Sequence, residues 1–117
     1  MINKILVIDD NIIFCNALKY HLSQKEYVVE TCISHTELLD KDIKEFDLFL
    51  LDIKLKDEQG FDIFQYILNM CPEKKIIITS SCLDNEYILK ANQLGAYKCI
   101  PKSSKLFEEL DIAIKEI

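Results

Sequence analysis

Four short apolar runs in this chain of 117 residues each end at polar side chains that can carry chemistry. These polar residues are Asp9 and Asp10, Asp52, Thr79 and Ser80, and Lys102. Uniformly apolar runs of this length are typical of strands buried on both faces, as in a parallel sheet. Ligand sites of open parallel sheets lie beyond the carboxyl ends of the strands. We therefore expect these side chains to meet in one site.

Helical patterns alternate with the strands along the whole chain. After the first strand, Phe14, Leu18 and Leu22 recur at a spacing of four, which indicates an amphipathic helix. Similar stripes follow each of the other strands. Five strand–helix units predict an α/β fold, a doubly wound five-stranded parallel sheet with five helices, flavodoxin-like in its layering. We expect residues 1–117 to form one domain.

Local signals predict where two of the helices begin or end. Ser34 and Glu37 have the spacing of a capping box, which predicts a second helix that extends through Ile43. Gly95 predicts the left-handed end of the fourth helix.

Composition narrows the class of protein. The net charge is −6, and all 14 basic residues are lysine. Nucleic-acid surfaces need a basic patch and usually arginine, so we expect no direct nucleic-acid binding by this chain. No apolar run approaches the ~20 residues of a membrane span, and no leader pattern precedes the first strand. We expect a soluble, cytoplasmic protein without membrane attachment.

The cysteines do not form a recognisable metal or disulfide pattern. They are odd in number, no two have the C-x-x-C spacing, and they lie at Cys15, Cys32, Cys71, Cys82 and Cys99. This usage argues against zinc spacing and against a disulfide framework. We expect most of them to be small buried apolar residues in a reducing compartment.

The expected site combines three carboxylates with an ammonium group and a hydroxyl. Asp9, Asp10 and Asp52 would repel one another unless a cation lay among them, and Mg²⁺ prefers such oxygen ligands. A carboxylate can also act as a nucleophile that forms an acyl phosphate. Lys102 and Ser80 could then neutralise or hydrogen-bond the oxygens of the phosphoryl group. Solvated strand ends are the alternative interpretation of these residues.

The same residues, in this order, resemble the receiver domain of two-component response regulators over the whole chain. The matching motifs are Asp9-Asp10 after the first strand, Asp52 followed by Gly60, a hydroxyl after the fourth strand, Gly95-Ala96, and Lys102. The resemblance implies that Asp52 accepts a phosphoryl group from a histidine of a sensor kinase or phosphotransfer protein. It also implies that the domain catalyses its own phosphorylation and dephosphorylation rather than acting as an independent enzyme.

The resemblance further implies a metal set. Asp10 and Asp52 would bind Mg²⁺ directly, Asp9 would act through water, and the backbone carbonyl of Lys54 would complete the protein ligands.

The resemblance also implies a conformational switch. Lys102 would pair with the phosphoryl group, and Ser80 would move to bond it, remodelling the face formed by the fourth helix, fifth strand and fifth helix. Thr79 competes for the hydroxyl role, although spacing favours Ser80.

Some positions depart from the family pattern. The family usually has proline where this chain has Lys56 and Ser103, and an aromatic switch residue where it has Cys99. Lys54 and Cys82 occupy positions that tune the loss of phosphate in the family. These departures predict that phosphorylation is retained while the conformational response is smaller or follows another route.

Partners and alternatives remain open from the sequence. The downstream output domain or protein is unknown, and a phosphorylation-dependent homodimer is one arrangement. A degenerate receiver that serves only as a protein-docking module is the first alternative function. A flavodoxin-like cofactor binder is the second, although the two charges of the Asp9-Asp10-Asn11 segment would repel a flavin phosphate without a metal.

Overall fold

A computed structural model describes residues 1–53, 58–81 and 85–117 of the chain. Strands and helices alternate along it, as the sequence predicts. In chain order the elements are β1 (Lys4–Ile8), α1 (Ile12–Ser23), β2 (Val28–Cys32), α2 (His35–Leu39), β3 (Leu48–Asp52), α3 (Glu58–Met70), β4 (Lys75–Ser80), α4 (Asn85–Leu94), β5 (Lys98–Pro101) and α5 (Leu106–Lys115). A short 3-10 helix, Ile43–Glu45, precedes β3.

The five strands form one parallel sheet in the order β2-β1-β3-β4-β5. The predicted doubly wound α/β architecture is therefore confirmed. The chain runs from β1 outward to β2 and then returns to β3 on the other side of β1. This reversal of strand order leaves a crevice beyond the carboxyl ends of β1 and β3, which is where such folds bind ligands.

Two apolar layers cover the sheet, because successive strand residues point to opposite faces. One layer packs Ile5 and Val7 of β1 against α1 and α5. The other packs Leu6 and Ile8 of the same strand against α2, α3 and α4. These four residues are at most 3% exposed, which explains why the strand is apolar throughout rather than alternating.

Among the described residues, three helix ends have a cap or a left-handed glycine, and the sequence predicts two of them. Ser34 caps α2, and its hydroxyl accepts a hydrogen bond from the Glu37 amide at 3.1 Å. Gly95 follows α4 with φ of 116°, and its amide donates to the Ala91 carbonyl at 3.2 Å. A side chain is strained at that φ, so glycine is required there. Asn11, which the sequence analysis did not assign to a cap, caps α1.

The predicted extent of the second helix is wrong. The helix ends at Leu39, and Ile43 lies in the separate 3-10 helix. The amides of Asp40 and Lys41 donate to the carbonyls three residues earlier, which tightens the last turn. Ile43 is still buried. The apolar residues at helical spacing therefore mark buried positions, but they do not belong to one continuous helix.

Helix length bears on membrane association. The longest helix in the described part of the chain, α3, has 13 residues, against the ~20 that a membrane span needs. Within residues 1–53, 58–81 and 85–117, no helix combines the length and apolarity needed to cross a membrane.

Candidate functional site

Three carboxylates meet beyond the carboxyl ends of β1 and β3. One oxygen from each of Asp9, Asp10 and Asp52 lies within 4.8 Å of the others. Asp9 is buried, Asp52 is half-buried and Asp10 is exposed, so the cluster opens to solvent on one side. The sequence prediction that these acids converge at the edge of the sheet is therefore consistent with the geometry of the structure.

Strand alternation explains why two of these carboxylates lie on the same side of the sheet as Thr79 and Lys102. Val7, Leu50, Ile77 and Ile100 all belong to the apolar layer under α1 and α5. Side chains two residues further along each strand point to the same side. Those residues are Asp9, Asp52, Thr79 and Lys102. The polar set is thus the continuation of one buried layer to the edge of the sheet.

Lys102 supplies the positive charge of the site. Its Nζ donates to Asp9 Oδ2 at 2.6 Å and lies 3.6 Å from Asp52 Oδ1. The lysine side chain is only 19% exposed, so solvent screens this charge less than it screens a surface ammonium. One ammonium therefore lies close to two of the three carboxylates and leaves the cluster with a net negative charge.

Asp9 is held from several directions. Its Oδ1 accepts from the Asn11 amide at 2.9 Å, while Oδ2 accepts from Lys102. Its backbone carbonyl accepts from the Cys15 thiol at 3.2 Å. Burial raises the pKa of that thiol to about 11, and the charge of Asp9 adds to the shift. Cys15 therefore remains protonated and keeps donating at neutral pH.

Two hydroxyls end β4, and they differ in position. Thr79 pairs in register with Asp52, and both lie on the side of α1 and α5. Ser80 is one residue further toward the edge of the sheet and, by alternation, on the side of Ile78, which packs under the other helices. Both hydroxyl residues are buried, and the Ser80 carbonyl accepts from the Lys102 amide at 2.8 Å.

Cys99 lies on β5, half-buried against the layer formed by α2, α3 and α4. Burial raises the pKa of its thiol.

A tyrosine from α4 reaches the same region: the Tyr87 hydroxyl donates to the Ile53 carbonyl at 3.0 Å. Burial raises the pKa of that phenol, and the charges of Asp52 and Cys99 add to the shift. Tyr87 thus links α4 to the residue that follows Asp52.

Replacing Tyr87 by phenylalanine should lower the free energy of unfolding by about 1 kcal/mol, because the buried Ile53 carbonyl loses its donor. Urea unfolding measures this change. Tyr20→Phe is the control, since Tyr20 is 69% exposed on α1 and should be neutral. Equal stabilities for Tyr87→Phe and the parent protein would contradict the energetic role of this bond.

The structure bears on the predicted burial of the cysteines but not on the positions that were predicted to tune the loss of phosphate. Among the described cysteines, Cys15, Cys32 and Cys71 are buried and free, as expected. Lys54 and Cys82 lie outside the described residues, as does Lys56.

The donor set fits a magnesium ion chemically. Its three nearby carboxylates supply the hard oxygen ligands that Mg²⁺ prefers, and the exposed side of the cluster leaves room for the waters it retains. Both oxygens of Asp9 already accept hydrogen bonds, so Asp9 is poorly placed to coordinate the ion directly. The same carboxylates, with Lys102 beside them, form a site suited to a phosphoryl group.

Comparison with known proteins identifies the family. The family model described as the response regulator receiver domain matches residues 5–115. The chain belongs to this family. The sequence prediction of a two-component receiver domain is therefore confirmed.

Individual relatives agree with the family assignment. The chain is 32% identical over 117 residues to the sensory transduction protein LytR of Staphylococcus haemolyticus. That match covers 97% of this chain and 44% of LytR, so the receiver spans less than half of this relative.

Solved structures share the fold over the full chain. The response regulator DrrB of Thermotoga maritima matches with a TM-score of 0.83 and 28% identity, covering 99% of this chain and 52% of DrrB. A CheY-like receiver domain protein from Methanospirillum hungatei matches with a TM-score of 0.77 and 28% identity, covering 100% of both chains.

Several residues around the receiver site were missed by sequence reasoning. Asn11 could have been found, because asparagine before a periodic apolar stretch is a common N-cap. Cys15 and Tyr87 gave no such signal, since each read simply as an apolar position on a helix. Their hydrogen bonds to backbone carbonyls depend on how helices pack on the sheet.

Proposed function

We propose that Asp52 accepts a phosphoryl group from a phosphohistidine of a sensor histidine kinase or a phosphotransfer protein. The P–N bond to the histidine breaks, a P–O bond to the Asp52 carboxylate forms, and the imidazole nitrogen takes up a proton. Water later attacks the phosphorus, which releases phosphate and restores the carboxylate. The observation that carries this proposal is the grouping of Asp9, Asp10 and Asp52 beside the Lys102 ammonium.

Asp52 is the best candidate for the acceptor among the three acids. Both oxygens of Asp9 accept hydrogen bonds, from Asn11 and Lys102, so Asp9 is held as a fixed negative charge. Asp52 lies between β1 and β4 in the sheet, with Lys102 Nζ at 3.6 Å from one oxygen. A phosphoryl group attached there would face the ammonium, which offsets negative charge on its oxygens.

We further propose that Asp10 and Asp52 coordinate Mg²⁺ directly and that Asp9 acts through water. When bound, the ion neutralises charge on the carboxylates and the phosphoryl oxygens. The backbone carbonyl of Lys54, the remaining proposed ligand, lies outside the described residues. Asp9 contributes by holding Lys102 on its Oδ2, which keeps the ammonium within reach of Asp52.

The proposed switch uses a hydroxyl at the end of β4 and alters the face of α4, β5 and α5. Ser80 is the proposed donor to the phosphoryl group. It lies one residue nearer the edge than Thr79, and its carbonyl is tied to the Lys102 amide. Cys99 and Tyr87 lie behind this face, and the substitution of Cys99 for an aromatic residue supports a smaller or rerouted response.

Alanine substitution distinguishes the two hydroxyls. Ser80→Ala should weaken beryllofluoride binding in the presence of Mg²⁺ by about tenfold to a hundredfold, because a hydrogen bond to a charged group is lost. Thr79→Ala should change it less. Calorimetry measures the affinity, and chemical shifts in α4 and β5 report the conformational response. A larger effect of Thr79→Ala would transfer the role to Thr79.

The partners follow from the same proposal. Because LytR is more than twice the length of this chain, an output domain or separate output protein is proposed downstream of the receiver. A phosphorylation-dependent homodimer is one arrangement for that output. A cytoplasmic location is proposed because sensor kinases present their phosphohistidine there.

Incubation with acetyl phosphate and Mg²⁺, followed by intact mass measurement, tests the proposed function. The expected result is a gain of one phosphoryl group that does not form when the metal is chelated before acetyl phosphate is added. The solved structure of the DrrB receiver activated by BeF3, 26% identical to this chain, makes beryllofluoride a suitable second probe. Absence of both the mass gain and beryllofluoride binding would overturn the proposal and favour a protein-docking module.

A further inference from the structure

Lys102 has a third neighbour besides the two acids. Its Nζ lies 4.2 Å from the centre of the Phe14 ring, well inside the ~6 Å range of a cation–π contact. The ammonium is therefore enclosed by Asp9, Asp52 and an aromatic face. The lysine side chain is 19% exposed, so little water competes for this charge.

The position of Phe14 is fixed by its surroundings in α1. The Phe14 amide donates to the side-chain oxygen of Asn11 at 3.1 Å, so the residue lies in the capped first turn of the helix. On its other side, the ring packs against Phe107 of α5 with ring centres 6.5 Å apart. The ring is thus held between the site and the seam of α1 with α5.

We propose that Phe14 is a positioning residue whose ring face holds the Lys102 ammonium between Asp9 and Asp52. A ring face attracts the cation electrostatically but accepts hydrogen bonds less well than water does. The ammonium protons therefore turn toward the carboxylates. Because the attraction extends to ~6 Å from the ring centre, a small shift of the ammonium from Asp9 toward Asp52 keeps it over the ring face.

The contact with Phe14 also affects how the ammonium of Lys102 responds to a phosphoryl group on Asp52. This part of the inference rests on the proposed function. In the structure Nζ is nearer to Asp9 than to Asp52, at 2.6 Å against 3.6 Å. A phosphoryl group on Asp52 adds negative charge on that side, and the ammonium must shift toward it. The Phe14 ring keeps the charge poorly screened during that shift, which strengthens its attraction to the phosphoryl oxygens.

Phe14→Leu tests the proposal, because leucine keeps an apolar side chain and removes the ring face. The first readout is the NMR signal of the Lys102 side-chain methylene and ammonium protons, which the ring current shifts upfield. We expect this shift to be lost in Phe14→Leu and retained in Phe14→Tyr. This readout requires neither metal nor phosphoryl donor.

The second readout is the rate of phosphorylation by acetyl phosphate with Mg²⁺. We expect Phe14→Leu to be slower by about threefold to tenfold, within the range that a desolvated cation–π contact accounts for, and Phe14→Tyr to recover most of the rate. Tyr97→Leu is the matched control. It removes a ring that lies 5.2 Å from Lys75 in the same apolar layer, and it should leave the rate unchanged.

The outcomes separate this inference from the proposed function. An unchanged Lys102 signal in Phe14→Leu would overturn the inference, as would equal rate losses in Phe14→Leu and Tyr97→Leu. If the parent protein takes up no phosphoryl group, the proposed function fails, and an unchanged Lys102 signal in Phe14→Leu would still overturn the contact on which the inference rests. If Phe14→Leu does not fold, Phe14→Met replaces it and is held to the same two readouts.

Discussion

Asp52→Asn is expected to abolish the phosphoryl adduct formed with acetyl phosphate and Mg²⁺, with a loss of more than about a hundredfold. The substitution keeps the shape of the side chain but replaces the carboxylate oxygen that forms the P–O bond. It also relieves repulsion among three acids whose oxygens lie within 4.8 Å, so the variant should fold. Intact mass measurement follows the adduct directly.

Asp40→Asn is the control for the Asp52 substitution. Asp40 is an exposed aspartate at the end of α2, outside the acid cluster, and its variant should gain the phosphoryl group like the parent protein. If the same fraction of Asp52→Asn as of the parent protein gained the phosphoryl group, the acceptor would be another residue. Fragmentation of the adduct would then decide between Asp10 and the remaining acids.

Lys102→Met is expected to lower the free energy of unfolding by about 2 kcal/mol or more in the absence of Mg²⁺. The substitution leaves the Asp9 side chain, which is 1% exposed, without its ammonium partner at 2.6 Å. Removing one member of a buried ion pair is costly because the other charge stays buried and uncompensated. Urea unfolding measures the change.

Two further variants show whether this loss comes from the charge. Lys98→Met removes an ammonium from β5, the strand just before Lys102, but its partner Glu116 is 55% exposed, so the cost should stay within about 1 kcal/mol. Adding Asp9→Asn to Lys102→Met should recover part of the stability, because the buried charge of Asp9 is then removed as well. Equal costs for Lys102→Met and Lys98→Met would contradict the buried-pair interpretation.

Much of the fold could be predicted because burial leaves a direct record in the sequence. Strands covered on both faces must be apolar throughout, as in the run from Leu48 to Leu51, and such runs are easy to recognise. Helix continuity is harder to predict. Ile43 keeps helical spacing from Leu39, yet a break lies between them, because either a helix or a loop followed by a 3-10 helix can bury that side chain.

In the site, as in the fold, the features that depend on buried strands could be predicted, and those that depend on how helices pack could not. Asp9, Asp52 and Lys102 end buried strands, so the topology of a parallel sheet was enough to bring them together. The contact of Phe14 with Lys102 depends on the packing angle of α1, which apolar spacing does not encode. The hydroxyl remains the least determined part, since Thr79 and Ser80 are adjacent and the register and the spacing favour different residues.

The bond between Lys102 and Asp9 joins positions 93 residues apart, near opposite ends of the chain. During synthesis the acids of β1 and β3 emerge long before the lysine that balances them. A nascent chain that has not yet added Lys102 lacks the ammonium that pairs with Asp9 and Asp52 in the folded domain. The ion pair of the site is therefore complete only when β5 has docked, and under the proposed function a partly synthesised chain should be a poor phosphoryl acceptor.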